Sequence, residues 1–286
     1  MTEQLQKKVD RAIKLIQSAS KIAATNGCKE IEVAYSGGKD SDVILELTKM
    51  SGVPYRAIYK NTTIDPAGTI KHAQDMGAEI IRPKHSFLEL LSMNGYPNMF
   101  YRHCCSQLKE YKVLDYAIVG IRRSESIKRS KRYKEPEQCR VYSKTQKVRQ
   151  YMPILEWSDD DVREFIEERG IKCAPVYYDE NGLFHTERRL GCVGCPLSSP
   201  KKRIDQFKEH PNMVKLYVRG GGYYLDKHPE DIRTKKYNNA YEWFCRELFC
   251  KNDEEFKQNF GGDNLFGDKV DCKQFLEDYF GIKFKD

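Results

Sequence analysis

The stretch that most constrains this chain is Ser36-Gly-Gly-Lys-Asp-Ser41. It follows Ile31-Glu-Val-Ala-Tyr35, an apolar run of strand length, and leads into a segment from Asp42 to Met50 that reads as a helix. A strand that turns through paired glycines straight into a helix belongs to a sheet covered by helices. Gly37 and Gly38 let the backbone come close to an anion, and the successive N–H groups of such a turn form a nest for one. The helix that begins near Ser41 adds its positive end. Ser36 and Ser41 flank the loop with hydroxyls, Lys39 supplies a point charge, and Asp40 is a ligand for Mg²⁺ bridging phosphates. The loop lacks the G-x-x-x-x-G-K-[ST] spacing of a P-loop and the G-x-G-x-x-G spacing of a dinucleotide fingerprint.

The rest of the chain repeats the alternation. Leu5, Val9, Ile13, Ile16, Ala19 and Ala23 form a helical stripe, with Gly27 placed to end it. Strands are predicted at 55–59, 79–82 and 117–121, and helices at 68–76 and 87–93. Ser158-x-x-Asp161 is a capping-box variant that opens a helix running to Arg169, stopped by Gly170. The fold class expected is therefore α/β: a mostly parallel, Rossmann-like sheet with helices on both faces. Residues 123–150 are polar with few apolar anchors and read as a loop or mobile arm. Beyond residue 200 only short helices are expected, for example over Asn239–Cys250 and Lys273–Tyr279. The expected organisation is a nucleotide-binding domain over 1–200 and a helical C-terminal region over 201–286.

With 286 residues the chain buries a full core without disulfide staples. No stretch approaches 18 uncharged apolar residues, so no membrane span is expected. The opening MTEQLQKKVDRA has no apolar signal core, so a cytoplasmic location is expected. The net charge is +7, yet residues 101–150 alone hold 14 Lys/Arg against 5 Asp/Glu. A block of that kind wants a polyanion, either the phosphates of a nucleotide or a nucleic acid. Within it, Arg122, Arg123 and Arg129 follow the 117–121 strand, at the end of a sheet where α/β folds bind ligands. They are candidates for bidentate contacts to phosphate or sulfate oxygens, with Glu125 as an orienting carboxylate. Lys128, Lys131, Arg132, Lys134, Lys144, Lys147 and Arg149 are equally a solvated face or a nucleic-acid contact. Tyr133, Tyr142 and Tyr151 read as packing residues more readily than as base-stacking platforms.

Ten cysteines are too few for a disulfide scaffold, and their placement is uneven. Cys104 and Cys105 are adjacent, and Cys192 and Cys195 form a CxxC. Two tight pairs brought together by the fold suit a [4Fe–4S] cluster or a structural Zn²⁺ ion, although adjacent cysteines are less usual for zinc. Cys28, Cys139, Cys173, Cys245, Cys250 and Cys272 read as small hydrophobes or free thiols. His103 is either a donor to a cluster sulfur or a surface histidine, and His185 has no assigned role.

The glycine loop resembles the PP-loop of the adenine nucleotide alpha-hydrolase superfamily, whose pattern is SGGxDS. The tandem cysteines, the long gap and the CxxC resemble the cluster pattern of the phosphoadenylylsulfate (PAPS) reductase family. Gly120-Ile-Arg-Arg-Ser-Glu-Ser126 with Arg129, Pro153–Val162 and Arg189-Leu-Gly-Cys-Val-Gly-Cys-Pro196 agree with that family's segments in kind. The resemblance spans about residues 30–200. It implies an adenine nucleotide, either ATP or adenylylsulfate/phosphoadenylylsulfate, held by Ser36–Ser41 with Mg²⁺ at Asp40. It also implies adenosine contacts from Asn61 or Thr62, and a [4Fe–4S] cluster on Cys104, Cys105, Cys192 and Cys195.

Two departures sharpen the expectation. The reductases carry a late cysteine in an E-C-G-x-H context, whereas the last cysteine here, Cys272, has neither Gly nor His after it. The reductases also tend to lose the Lys-Asp-Ser end of the loop, which this chain keeps. The leading expectation is an ATP pyrophosphatase that adenylates an acceptor for sulfur transfer, with Lys39, Asp40, Arg122 and Arg123 catalytic. It would work with a sulfur-donor protein of the cysteine desulfurase or thioredoxin type, and onto nucleic acid reached through residues 101–150. The alternatives are a reductase that releases sulfite and a non-catalytic nucleotide- or nucleic-acid-binding regulator.

Overall fold

A computed structural model describes residues 1–261 and 269–284. In chain order the elements are α1 (Glu3–Thr25), β1 (Ile31–Tyr35), α2 (Lys39–Ser51), β2 (Tyr55–Lys60), α3 (Thr69–Asp75), β3 (Glu79–Ile81), α4 (Phe87–Asn94) and α5 (His103–Leu108). They continue with β4 (Tyr116–Ile118), α6 (Ile127–Arg132), β5 (Glu137–Val141), β6 (Lys147–Tyr151) and α7 (Asp159–Arg169). The last are α8 (Pro200–Glu209), α9 (Pro211–Lys227), α10 (Ala240–Phe249), α11 (Asp253–Phe260) and α12 (Cys272–Phe280). No described helix is long and apolar enough to cross a membrane.

The six strands form one sheet in the order β3-β2-β1-β4-β6-β5. All neighbours are parallel except β5, which runs antiparallel to β6 at the edge. The α/β class expected from the sequence is the one observed. β1 is buried along nearly its whole length, as a parallel strand covered on both faces should be. Chain order reverses at β1: β2 and β3 lie to one side of it and β4 to the other. The C-terminal ends of β1 and β4 thus flank the switch point at which open α/β sheets bind ligands.

Local sequence explains the ends of the elements. Thr2 caps α1, whose buried stripe is Leu5, Val9, Ala12, Ile16, Ala19 and Ala23. The expected Ile13 lies at the edge of that stripe, and Ala12 takes the inward position. Ser158 and Asp161 form the reciprocal capping box of α7, and Gly170 ends it in the left-handed region.

The arm expected over 123–150 is ordered instead. A short 3-10 turn (Arg123–Glu125) leads into α6, and β5 and β6 form a hairpin that extends the sheet. The apolar signal was thin because an edge hairpin buries little. Val148, Gln150 and Tyr151 of β6 are the buried positions, and β5 is exposed at every second residue. Tyr133 and Tyr142 pack against a cluster that includes Val148 and Met152, so both tyrosines are structural. The strand predicted over 117–121 is shorter, because the Ile121 N–H turns back onto the Val119 carbonyl at 3.0 Å.

The chain divides into two compact units that interleave along the sequence. The first comprises residues 1–61, 67–82 and 108–190 and carries the sheet. The second comprises residues 62–66, 83–107 and 191–286. Its centre is aromatic: Phe207 packs edge-on against Tyr217, Phe244 and Phe280.

Candidate functional site

In the first unit, the loop that leaves β1 turns at Gly37, which has φ +77°, and α2 begins at Lys39 with Gly38 as its N-cap. Ser41 Oγ donates to the Gly38 carbonyl at 2.6 Å, and Ser36 Oγ lies 3.3 Å from Ser41 Oγ. These bonds fix the loop through its serine hydroxyls and the Gly38 carbonyl. Lys39 is buried, with its Nζ 3.3 Å from Asp40 Oδ2 and 5.5 Å from the centre of the Tyr177 ring. The Tyr177 hydroxyl accepts from the Leu190 N–H at 3.3 Å, and burial pushes its pKa up to about 12. Tyr177 therefore stays neutral beside the lysine.

The loop after β4 comes up against this turn. A Cβ on Gly120 would lie 2.9 Å from the Asp40 carbonyl oxygen, so that approach needs glycine. Arg122 is 1% exposed, and every guanidinium nitrogen is engaged. Nε donates to Asp40 Oδ1 at 2.6 Å, Nη2 to Asp159 Oδ1 at 2.7 Å, and Nη1 to Ser124 Oγ at 2.7 Å and the Trp157 carbonyl at 3.4 Å. Arg122 thus holds Asp40 in place from within the protein, almost wholly out of reach of solvent. Arg123 faces elsewhere. It donates to the carbonyls of Tyr133 and Lys134 and pairs with Glu156 at 2.9 Å. Adjacent residues on extended backbone point to opposite sides, which divides the two arginines between two tasks.

Glu125 is the hub of the remaining cations. Its carboxylate accepts from the Arg122 N–H at 3.1 Å and from the Arg129 guanidinium. Its carbonyl accepts from Arg189 Nη2 at 2.6 Å. Burial draws the Arg129 guanidinium below its ordinary value, and Arg189 and Arg122 nearby add to that effect. Arg189 and Tyr177 were not assigned from sequence. Arg189 directly precedes the segment that leads to the CxxC, and that adjacency was the available signal.

Beneath the loop lies a buried polar cluster that sequence did not reveal. Asp42 is fully buried. It accepts from the Tyr35 hydroxyl and has His72 Nε2 3.0 Å from Oδ1. Burial raises the pKa of both Asp42 and Tyr35. The first turn of α2 is therefore anchored from below as well as by Arg122.

Asn61 ends β2 in the first unit, where its N–H donates to the Ile81 carbonyl at 3.0 Å. Thr62 belongs to the second unit, where its Oγ1 lies 3.8 Å from Cys192 Sγ.

All four paired cysteines lie in the second unit. Cys104 and Cys105 sit on α5, and the Cys105 side chain together with burial holds the Cys104 thiol well above its usual pKa. Burial likewise holds the Tyr217 hydroxyl well above its usual pKa. Cys192 Sγ lies 3.5 Å from Asp65 Oδ1. The CxxC turn is clamped: Tyr217 donates to the Val193 carbonyl at 2.9 Å, and the Val193 N–H donates to the Ile64 carbonyl at 2.9 Å. Gly194 takes φ +72°, and a Cβ there would lie 2.5 Å from Phe207 Cζ. Among the described residues, no three His, Cys, Asp or Glu side chains converge as ligands of one ion. Two thiols on α5 and two on the CxxC turn, all in one unit, are a donor set whose chemistry would suit a thiolate-bound cluster. His103 is buried rather than on the surface. Its Nε2 is 3.1 Å from the Gly95 carbonyl, and Nδ1 has no hydrogen-bond partner among the described residues. Cys173, Cys245 and Cys272 are buried, Cys28 and Cys250 are half-buried, and Cys139 is exposed. His185 is occupied by Asp179 and Glu187.

The chain matches the Phosphoadenosine phosphosulfate reductase domain over residues 30–198. It is 28% identical over 218 residues to an uncharacterized protein of Methanocaldococcus jannaschii. That alignment covers 70% of this chain and 43% of the archaeal one, so the chain spans less than half the length of this curated relative. Among solved structures it is similar to FMN adenylyltransferase of Candida glabrata, with 16% identity and a TM-score of 0.43, over 67% of this chain and 62% of that one. It is also similar to a phosphoadenylyl-sulfate (PAPS) reductase from Candida auris in a phosphate complex, with 14% identity and a TM-score of 0.40, over 61% of this chain and 90% of that one.

Proposed function

Given that the chain belongs to the phosphoadenosine phosphosulfate reductase domain family, we propose that it is an adenylating ATP pyrophosphatase that serves sulfur transfer. The observation that carries this reading is the intact Lys39-Asp40-Ser41 end of the loop, with Asp40 held between Arg122 and Lys39. A nucleotide without β- and γ-phosphates has no use for that end of the loop.

The loop N–H groups and the start of α2 bind the pyrophosphate portion of ATP. Lys39 places its charge there, kept close by the Tyr177 ring. Arg122 is a positioning residue that turns the Asp40 carboxylate outward. Mg²⁺ would be held by Asp40 together with phosphate oxygens, and when bound it neutralises their charge. The more weakly held Oδ2 of Asp40 is the oxygen available for it. Arg129 and Arg189, gathered by Glu125, supply the remaining positive charge for the α-phosphate. An acceptor oxygen attacks the α-phosphorus, the bridging bond to the β-phosphate breaks, and its electron pair leaves with pyrophosphate. Catalysis is mainly electrostatic.

Cys104, Cys105, Cys192 and Cys195 would hold a [4Fe–4S] cluster, which when bound supplies electron transfer or a site for sulfur. Ten free cysteines fit a reducing, cytoplasmic setting and a sulfur-donor protein partner. The exposed Lys128, Lys131 and Arg132 of α6, with Lys144 and Lys147 of the hairpin, support nucleic acid as the acceptor.

The test is pyrophosphate release from ATP with Mg²⁺, with and without nucleic acid. Release is expected, lowered about 100-fold or more by Lys39→Ala or Asp40→Asn. No release under either condition overturns the reading. The family match also favours a reductase acting on adenylylsulfate or phosphoadenylylsulfate. Against it, Cys272 is buried at the start of α12 rather than presented to a substrate. Sulfite release with thioredoxin as donor would establish that second reading in place of the first.

A further inference from the structure

The arginine that turns away from the loop lines a separate cavity in the first unit. It has a volume of about 390 Å³ and is walled by one face of α1, residues 134–136, residues 152–153 and residues 155–157. That volume lies within the range of small-molecule sites. Its apolar surface comes from Leu15, Met152, Leu155 and Trp157. Arg123 ties two of the walls together, since it grips the carbonyls of Tyr133 and Lys134 and also pairs with Glu156. The cavity is therefore built by specific bonds and does not depend on loose packing.

Its charge is unbalanced. Lys8, Arg11, Arg123 and Lys134 line it, against Glu135 and Glu156. Lys8 is neutralised by Asp161 at 2.6 Å and Arg123 by Glu156 at 2.9 Å. Lys134 reaches only a backbone carbonyl, that of Ser130 at 3.3 Å. Arg11 has no hydrogen-bond or ion-pair partner among the described residues. It lies on the α1 face that also presents Lys8 and Leu15 to the cavity. Glu135 offsets one of these two free cations, so the cavity keeps one net positive charge beside the edge of Trp157 and Leu15, which selects a ligand with an apolar body and a single negative end.

We propose that this cavity is a second ligand site, for a small organic anion of the aryl carboxylate or aryl sulfonate class. The anionic group meets Arg11 and Lys134, and the apolar body lies against Trp157 and Leu15. The proposal is independent of what the glycine loop binds.

The probe is 8-anilinonaphthalene-1-sulfonate, titrated by its fluorescence into the full-length protein, with uncharged N-phenyl-1-naphthylamine as control. One saturable site for the sulfonate is expected. Arg11→Glu, an exposed position, should weaken the sulfonate about tenfold or more and leave the uncharged dye unaffected. Leu15→Trp should abolish binding of both dyes by filling the floor, and neither substitution should change pyrophosphate release. If the sulfonate titrates without saturation, or binds Arg11→Glu as tightly as the unaltered protein, the proposal fails. Equal weakening of both dyes by Arg11→Glu would also overturn it, because the charge would then not be what selects the ligand.

Discussion

Arg122 Nε and Asp40 Oδ1 meet at 2.6 Å across 82 positions of sequence, and the arginine that makes this contact is almost wholly buried. The same guanidinium holds Asp159 at the start of α7 and the Trp157 carbonyl. One side chain therefore joins the first turn of α2, the loop after β4 and the entrance to α7.

Removing that side chain should cost stability as well as activity. Arg122→Ala removes one of the two cations on Asp40 and one of the two donors to the Trp157 carbonyl, with Lys39 and Ser124 remaining, at a cost of about 1–3 kcal/mol. The Asp159 contact contributes little of this, because its side chain is 55% exposed. Arg122→Lys cannot reproduce the fork and should recover less than half of the loss. Urea unfolding of both variants measures the cost. A midpoint unchanged in Arg122→Ala would show that Asp40 needs no holder.

The CxxC turn should be intolerant of a single methyl group. Gly194→Ala forces a side chain into the left-handed region, 2.5 Å from Phe207 Cζ and 2.7 Å from Tyr217 Oη. The cost should be about 2–4 kcal/mol, from strain and overpacking together. Iron content should fall in step while ATP binding to the other unit persists. Both are measured on anaerobically purified protein, by iron assay and by nucleotide titration.

Anaerobic purification should also yield about four iron and four sulfide per chain, with a broad charge-transfer band in the visible spectrum. Cys104→Ser, Cys105→Ser, Cys192→Ser and Cys195→Ser should each lower that content. Cys139→Ser, at an exposed position remote in sequence from both pairs, should leave it unchanged. Stoichiometric zinc in place of iron would count against the sulfur-transfer reading.

The helical unit should carry an acid-sensitive contact. Lys236, and after it Arg246, hold the Asp253 carboxyl down to about 2. An unfolded aspartate titrates near about 3.9. Because the folded value is the lower one, the contact stabilises fully above the unfolded value and is lost as pH falls through the folded one. The side chain is 46% exposed, so screening limits the effect to less than about 1 kcal/mol. Thermal melts of Asp253→Asn should match those of the unaltered protein near pH 2 and fall below them above pH 4, which the pH dependence of Tm checks.

Much of the first unit was legible in the sequence, because its signals are local. The α1 stripe, the glycines after β1 and the Ser158 box are each written within a few residues. The β5–β6 hairpin was not, because its pairing is made by backbone and its buried side chains are few. Nor could spacing tell Arg122 from Arg123, since only the extended backbone at Arg122 decides which one turns inward. Arg189 and the Asp42–His72 pair were hidden for the same reason: their partners are distant in sequence. For the thiols, the sequence showed the two pairs, and the fold shows that both lie in one unit with Tyr217.

The interleaved path of the chain sets an order of synthesis. α4 packs chiefly against α9, which emerges from the ribosome roughly 120 positions later. The tandem cysteines on α5 are therefore translated well before Cys192, Cys195 and the helices that complete their unit. A fragment that stops near residue 200 would keep all four paired cysteines and lack the five helices that make up most of their unit.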